Sequence, residues 1–393
     1  MFTFLDYNFN RDNYEATFRY QGKDNIIFSE KVKFSHPDFT DYSEEILDRA
    51  LFLAFIILGT SYYKAEPTTE VKLPRELDEA EATFFSKIYQ EGLSQYAFEN
   101  HLTRANLAHF KANKPLENST TNTVNTSDKT LCMVSGGKDS LLSFEKVKAS
   151  GINYEVSYIS ANGAYPSILD ELKTPLIINR TIDKENLKKA GGLNGHVPVT
   201  LINEALSLIQ AILIKANHIE FGIGREGLEP HAWIDDLPVN HQWSKTEEAQ
   251  KLIKNYIKTY VAKDLTIGSN LENLTELEIA KEFALKCWDK YEGKFSSCNV
   301  ANYKQDENNK TLKWCGKCAK CANSYLLFCP FVPYEKQLKI FGRNLFEDPE
   351  LTEIFKGLLG IDGVMKPFEC IASIDELRWA YEHKLPGYGE LEV

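Results

Sequence analysis

The chain has 393 residues, enough for two or three domains, and the composition of a globular protein. Its net charge of −11 argues against a protein that mainly holds tRNA or DNA, because such proteins usually carry a basic face. The longest apolar run, Ala50 to Leu58, is too short to cross a bilayer, and the N-terminus lacks the basic start of a signal peptide. We therefore expect a cytoplasmic protein without nucleic-acid or membrane partners, whose eight cysteines are thiols or metal ligands.

Residues 1–110 predict a small α+β domain. Residues 14–34 alternate between apolar and polar side chains around a polar turn, which predicts a β-hairpin. Asp41 to Leu58 predicts a helix capped by Asp41 or Ser43, and Leu77 to His101 predicts one or two more. We interpret the aromatic residues of this region as core rather than as a binding surface.

Residues 111–129 are rich in Asn, Ser and Thr and predict a linker. Residues 130–330 then alternate between strand and helix patterns, which predicts an α/β domain with a parallel sheet and helices on both faces. The remaining residues, 331–393, predict a helical extension. The predicted strands are Thr130–Val134, Tyr154–Ile159, Leu176–Asn179 and Ile219–Gly222, and the apolar helix is Val199–Ala216. Thr275-Glu276-Leu277 predicts the start of another helix, with Thr275 as its cap.

A glycine-rich turn joins the first of these strands to a helix. It reads Ser135-Gly136-Gly137-Lys138-Asp139-Ser140. Glycines let the backbone approach a phosphate closely, and a helix N-terminus offers N–H groups to an anion. Lys138 adds a cation, Ser135 and Ser140 add hydroxyls, and Asp139 could hold Mg²⁺. An ordinary glycine-rich turn is the alternative interpretation.

This turn resembles the PP-loop of the ATP pyrophosphatase superfamily, whose pattern is Ser-Gly-Gly-x-Asp-Ser. The resemblance implies a PP-loop fold, cleavage of ATP between its α and β phosphates, and transfer of AMP to a carboxylate or carbonyl oxygen. The spacing differs from that of a Walker A loop.

Further polar residues follow later strands and helices of the predicted sheet. Ligands bind such sheets at the carboxyl ends of the strands, where the turns that contain His196 and Glu226 are expected. His241 and Lys245 lie four residues apart in a dense polar and aromatic stretch, and they would share a face if that stretch were helical. Each of these four residues is a candidate catalytic acid or base, and a structural role is the alternative.

Four cysteines have the spacing of a metal site: Cys298, Cys315, Cys318 and Cys321. Four thiolates suit tetrahedral zinc in a closed, structural site. A redox pair, an iron–sulfur cluster and plain thiols are the competing interpretations. The other cysteines, at positions 132, 287, 329 and 370, have apolar or aromatic neighbours and predict small core residues.

Two families share these features. The cysteine spacing is similar to that of 7-cyano-7-deazaguanine synthase, a shorter PP-loop enzyme. The fuller resemblance is to the MurL family of UDP-N-acetyl-α-D-muramoyl-L-alanyl-L-glutamate epimerases. It is carried by residues 194–200, 239–245, 295–299, 314–321, 341–345 and 366–370. One turn departs from the family pattern, since Gly224-Arg225-Glu226-Gly227 follows the strand at 219–222.

The MurL resemblance implies inversion of the terminal L-glutamate of a UDP-muramoyl dipeptide, with ATP and Mg²⁺. Adenylating the carboxylate removes its negative charge, so that a base can take the neighbouring Cα proton. A synthetase that passes the adenylate to nitrogen or sulfur, and a non-catalytic ATP-binding regulator, are the alternatives. The sequence does not rank His241, Lys245, His196 and Glu226 as acid or base.

Overall fold

The structure is a computed structural model that describes residues 1–35, 42–116, 120, 122–124, 127–227, 229–302 and 309–391. Asp41, one of the two predicted caps of the first helix, and parts of the predicted linker lie outside the described residues.

The described residues form a nine-stranded sheet and a separate two-stranded hairpin. The strands are β1 (Phe2–Asn10), β2 (Glu15–Gln21), β3 (Ile27–Phe34), β4 (Val71–Lys72), β5 (Ser127–Met133), β6 (Tyr154–Ser160), β7 (Leu176–Thr181), β8 (Ala216–Glu220), β9 (Ala232–Ile234), β10 (Leu237–Val239) and β11 (Thr266–Gly268). The hairpin consists of β9 and β10, and the order in the large sheet is β11-β8-β5-β6-β7-β3-β2-β1-β4.

One half of the large sheet is parallel. Strands β11, β8, β5, β6 and β7 all pair in parallel, which confirms the predicted α/β class. The strand predicted at Ile219–Gly222 instead spans Ala216–Glu220, and the helix predicted to end at Ala216 ends at Leu213. The prediction was wrong at this boundary because the apolar run continues from the helix into the strand.

The other half of the sheet comes from the N-terminal residues. The predicted hairpin is confirmed as β2 and β3, and β1, which was not predicted, pairs with β2. Strand β3 pairs antiparallel with β7, so the N-terminal strands continue the central sheet. Beside this pairing the buried Glu30 accepts a hydrogen bond from Arg180 at 2.6 Å.

Helices cover both faces of the sheet. The helices are α1 (Glu44–Leu58), α2 (Thr60–Tyr63), α3 (Glu79–Gln90), α4 (Ser94–Glu99), α5 (Lys138–Ser150), α6 (Lys184–Ala190), α7 (Val199–Leu213), α8 (Glu247–Tyr256), α9 (Glu276–Lys286), α10 (Trp288–Tyr291), α11 (Asn299–Asn302), α12 (Ala319–Phe328), α13 (Tyr334–Phe341), α14 (Thr352–Leu359) and α15 (Ile374–Glu382). Leu131 and Met133 pack into one apolar cluster with α1 and α7, whereas Cys132 and Val134 pack into another with α5, α9 and α12.

Helix α1 is a core helix of this assembly. Ser43 caps it, as predicted, by accepting a hydrogen bond from the Ile46 N–H. Together with α2 it forms a stretch, Glu44–Tyr63, that is long and apolar enough to span a membrane by length and composition alone. Of the most apolar 18-residue window in this stretch, 89% is buried inside the protein. Burial against the sheet and α7 accounts for this hydrophobicity.

The C-terminal residues are helical, as predicted. Helices α13, α14 and α15 follow residue 331 and share the apolar cluster of α9 and α12. Helix α9 begins with the expected Thr275 cap, in a capping box with Glu278. The C-terminal segment therefore packs against the face of the sheet that carries α5.

Candidate active site

A cleft of about 690 Å³ opens where the parallel strands end. The glycine-rich turn, the segment after β8, helix α7 and the segment before α8 contribute to it, as do residues near the cysteines and the C-terminus. The lining residues that matter for chemistry are Ser135, Asp139, Ser140, His196, His241, Lys245, Ser297, Cys298, Lys320, Glu369 and Cys370. The cleft thus brings together residues from widely separated parts of the chain.

The glycine-rich turn joins β5 directly to α5, as predicted. Gly136 has φ +87°, in the region that favours glycine, and a Cβ there would lie 2.4 Å from Leu312 Cδ1. Gly137 is the N-cap of α5, and no side chain caps this end. The open helix N-terminus at the floor of the cleft is an arrangement that suits an anion.

The two serines of the turn brace it. The Ser140 hydroxyl accepts a hydrogen bond from the Ser135 N–H at 3.2 Å and donates to the Gly137 carbonyl at 3.1 Å. Both side chains also line the cleft. The turn is therefore held in shape before any ligand arrives.

Lys138 does not reach the cleft. Its side chain is only 3% exposed, and its Nζ lies 2.5 Å from both Asp139 Oδ1 and Glu276 Oε2. Burial disfavours its charge, but the two carboxylates hold its pKa well above the usual value. Its charge therefore orders the turn and Asp139, whose side chain remains 24% exposed. Sequence reasoning missed Glu276, although Thr275 beside it was recognised as a helix cap.

Lys245 projects into the cleft with a carboxylate behind it. Its Nζ lies 2.6 Å from Glu226 Oε2. Burial disfavours its charge, but neighbouring Cys370 and Glu226 hold the pKa of Lys245 well above its ordinary value. Glu226 does not line the cleft. The segment of Lys245 is not an α-helix, since Trp243–Lys245 is a single 3-10 turn, yet His241 and Lys245 still share the cleft.

Three histidines cluster at one side of the cleft. The rings of His196 and His241 are 4.4 Å apart, and that of His231 lies 6.4 Å from His241. Burial lowers the pKa of His196 to about 3 and that of His231 to about 4. Burial likewise lowers the pKa of His241 to about 4, so all three rings are neutral at pH 7. His231 was not singled out from the sequence, because it stands alone in the turn before β9.

The C-terminal segment completes the cleft with residues that sequence reasoning missed. Lys320, on the first turn of α12, donates to the Cys370 carbonyl at 3.0 Å and forms no salt bridge with any described carboxylate. Cys370 was predicted to be a core residue, but it lines the cleft beside Glu369. The prediction was wrong because Cys370 lies in a segment without regular structure, where neighbour polarity says little about burial.

A second, smaller cavity of about 180 Å³ adjoins the glycine-rich turn. Its walls are largely apolar and include Val134, Tyr158, Ile159, Phe221 and Ile223. It shares Ser135, Ser140 and Lys245 with the cleft. A largely apolar slot beside an uncapped helix N-terminus suits a ligand that has an apolar part next to an anionic part.

The four predicted cysteine ligands converge. Their sulfur atoms all lie within 4.8 Å of one another, and three of the separations, Cys298–Cys318, Cys315–Cys321 and Cys318–Cys321, are 3.7, 3.7 and 3.6 Å. A tetrahedral zinc with bonds of about 2.3 Å requires sulfur separations of about 3.8 Å. The cluster therefore fits zinc, and all four positions are filled by protein.

The cysteine cluster is tied to the glycine-rich turn. The Ser296 N–H donates to the Gly136 carbonyl at 3.1 Å, and the Ser296 hydroxyl accepts from the Cys298 N–H at 3.0 Å. A Cβ on Gly137 would lie 3.1 Å from Ser297 Oγ. One short segment thus supplies a cysteine to the cluster and a wall to the cleft.

Comparisons with known proteins agree with this architecture. A family described as the MurL N-terminal domain matches residues 1–269, and one described as the MurL C-terminal domain matches residues 294–385. Proteins named UDP-N-acetyl-alpha-D-muramoyl-L-alanyl-L-glutamate epimerase are similar throughout. That of a Micromonospora species is 31% identical over 95% of this chain and 84% of its own length.

Two further relatives carry the same name. The protein of Salinispora tropica is 31% identical over 95% of this chain and 82% of its own length. The protein of Xanthomonas oryzae pv. oryzae is 31% identical over 85% of this chain and 74% of its own length. With both family domains matched in order and these relatives similar over 85–95% of its length, the chain belongs to the MurL family.

Proposed function

We propose that this protein inverts the terminal L-glutamate of UDP-N-acetylmuramoyl-L-alanyl-L-glutamate to D-glutamate, with ATP and Mg²⁺, in peptidoglycan precursor synthesis. The names of its relatives support the substrate and the epimerisation. The observation that carries the proposal is the cleft itself, where an anion-binding helix end meets Lys245 and the neutral His241. A cytoplasmic location, where ATP and such precursors are made, belongs to the same proposal.

ATP would occupy the two adjoining cavities. The smaller apolar cavity would take the adenine base, and the N-terminus of α5 would take the phosphates. Asp139, partly exposed at that helix end, would hold Mg²⁺ together with phosphate oxygens. Bound there, the metal would supply positive charge that neutralises the phosphates during adenylation.

Adenylation solves a chemical problem of the substrate. The Cα proton of a carboxylate is hard to remove because the resulting carbanion lies beside a negative charge. Once the carboxylate is adenylated, the electron pair left on Cα can delocalise onto the carbonyl oxygen. Removal of the proton on one face and delivery on the other then give the D isomer, and hydrolysis releases AMP.

The cleft offers a proton acceptor in His241 and a proton donor in Lys245. Burial lowers the pKa of His241 to about 4, so the ring is neutral and can accept. Lys245 is held protonated by its neighbours and can donate. Lys320 has no carboxylate partner among the described residues, so it can bind a carboxylate or phosphate of the substrate.

The four cysteines would hold a structural zinc. All four tetrahedral positions come from protein, which leaves no open position for substrate. The role that we assign to this zinc is to fix residues 296–298 against the Gly136 carbonyl.

Deuterium labelling tests the proposed function. In D₂O the D-glutamyl product should carry deuterium at Cα, and only when ATP and Mg²⁺ are present, with AMP and pyrophosphate as the other products. A synthetase that transfers the adenylate to nitrogen or sulfur gives no such label. ATP-dependent turnover of the dipeptide precursor without Cα deuterium, or release of ADP and phosphate, would contradict the proposal.

A further inference from the structure

A chain of hydrogen bonds runs from helix α4 to the histidine at the cleft. Gln95 Nε2 donates to Glu99 Oε1 at 2.7 Å, and Gln95 Oε1 lies 2.7 Å from His241 Nδ1. Gln95 is 7% exposed, so water has little access to its amide. The link joins residues far apart in sequence, since Gln95 and His241 are separated by 146 residues.

The chain of bonds fixes the tautomer of His241. The Glu99 carboxylate only accepts, so the Gln95 amide nitrogen faces it and the amide oxygen faces the imidazole. An amide oxygen also only accepts, so Nδ1 of His241 carries the hydrogen. In a neutral ring the free lone pair is then on Nε2.

The surroundings keep that ring neutral. Burial is the largest influence on the pKa of His241 and lowers it to about 4. The charged and titratable groups that face it from the surrounding elements are Glu369, Lys320, Lys245, Glu99, His196 and His231. The two acids favour the charged ring and the two lysines oppose it. A neutral His241 with its lone pair on Nε2 is therefore the state at pH 7.

We infer that Gln95 is a positioning residue that makes Nε2 of His241 the proton-accepting atom of the epimerisation. The inference rests on the proposed function. The C–H bond at Cα of the adenylated L-glutamyl group breaks, an N–H bond forms at Nε2, and the electron pair passes to the activated carbonyl. Lys245 Nζ then delivers a proton to the opposite face of Cα as the electron pair returns. Exchange with solvent restores both side chains.

Substitution of Gln95 should separate the two steps of the reaction, adenylation of the carboxylate and proton exchange at Cα. Gln95→Leu removes the acceptor at Nδ1, so Cα deuterium incorporation should fall by about tenfold or more, the usual cost of losing such a partner. Pyrophosphate release should stay within about twofold, because adenylation does not use His241. The matched control is Gln90→Leu, which removes a half-buried amide from α3 outside the cleft and should change neither rate.

Gln95→Glu tests the pH dependence of deuterium incorporation, which should stay unchanged if Gln95 has only a structural role. The new side chain keeps an acceptor oxygen at Nδ1 and should restore deuterium incorporation at pH 8. Its negative charge favours the imidazolium, so the pKa of His241 should rise and activity should be lost at a higher pH than in the wild type. The inference would be overturned if Gln95→Leu slowed pyrophosphate release as much as deuterium incorporation. It would also be overturned if Gln95→Glu lost activity at the same acidic pH as the wild type.

A spectroscopic measurement keeps this inference separate from the proposed function. In ¹⁵N-histidine spectra of the unliganded wild type, the signals that vanish in His241→Asn should show Nδ1 protonated and Nε2 unprotonated. A proton on Nε2 overturns the inference even if the protein is an epimerase. Absence of ATP-dependent deuterium exchange in the wild type, with the expected tautomer present, instead contradicts the proposed function.

Discussion

Lys245 Nζ lies 2.6 Å from Glu226 Oε2, and the two side chains are 19% and 1% exposed. The pair therefore crosses the wall of the cleft, with the amine on the open side and the carboxylate on the interior side. Glu226, a candidate acid or base from the sequence, does not line the cleft. We expect it to act through Lys245, whose pKa it helps to raise.

Glu226→Gln should weaken proton donation by Lys245 at high pH. The carboxylate helps to raise the pKa of Lys245, so its removal lowers that pKa. A lysine that donates must be protonated, and deuterium incorporation at Cα should therefore fall off at a lower pH than in the wild type. The control is Glu229→Gln, which removes the partner of Lys366, 3.1 Å away and outside the cleft. If deuterium incorporation declined at the same alkaline pH in the two variants, the role of Glu226 would be refuted.

Gly136→Ala should abolish most ATP cleavage for reasons beyond backbone strain. Gly163 provides the matched control, because it has φ +86° against +87° at Gly136, but no atom of the described residues lies within 4 Å of an added Cβ. Both variants should lose about 1–2 kcal/mol of unfolding free energy from the positive φ. Pyrophosphate release should drop about a hundredfold in Gly136→Ala alone, because the turn is displaced from the phosphates. Equal rates in the two variants would contradict a phosphate-binding turn.

Removal of zinc should impair nucleotide use before it unfolds the protein. Elemental analysis should find about one zinc per chain in the wild type and little in Cys318→Ser. Stripping the metal frees the segment that holds the Gly136 carbonyl, so the KM for ATP should rise while the helix content is kept. Cys287→Ser, a change at a buried cysteine outside the cluster, should retain the zinc. A zinc-free wild type that is fully active would contradict this prediction.

Glu204 should make stability depend on pH. It is buried in α7 with Gln250 as its hydrogen-bond donor, and burial raises its pKa to about 8. A folded-state pKa above the unfolded value means that the folded protein binds the extra proton, so unfolding free energy falls as pH rises from about 4.5 to 8. Glu204→Gln removes this titration and should be more stable than the wild type at pH 9 by more than about 1 kcal/mol. Urea unfolding at pH 5 and pH 9 measures the difference, and a constant difference would refute the assignment.

The sequence predicted those parts of the fold and site that depend on local pattern. The α/β alternation, the hairpin before Phe34, the Ser43 and Thr275 caps and the convergence of four cysteines all follow from short segments. For the strands, helices and caps, a few neighbouring residues determine the backbone conformation. For the cysteines, the spacing along the chain is itself typical of a metal-binding turn. The carboxyl ends of parallel strands meet at one edge of the sheet, which is why residues from several turns could be assigned to one cleft.

Contacts between distant segments could not be predicted in this way. Gln95 and Glu276 read as ordinary helix residues, and only the packing of their helices brings them to His241 and Lys138. Lys138 was expected to offer its charge to a ligand, but two carboxylates bury it. The role of a charged side chain depends on which oppositely charged group lies beside it in the folded protein, and that group can come from any part of the chain.

The pairing of β3 with β7 has a consequence for the order of folding. The buried bond between Glu30 and Arg180 closes a loop of 150 residues. During synthesis the hairpin of β2 and β3 leaves the ribosome long before its partner strand, and until then one edge of β3 has free N–H and C=O groups. Deleting the N-terminal strands would in turn leave β7 as an exposed edge. Fragments cut between these strands should therefore aggregate, and the N-terminal third is a poor choice for expression on its own.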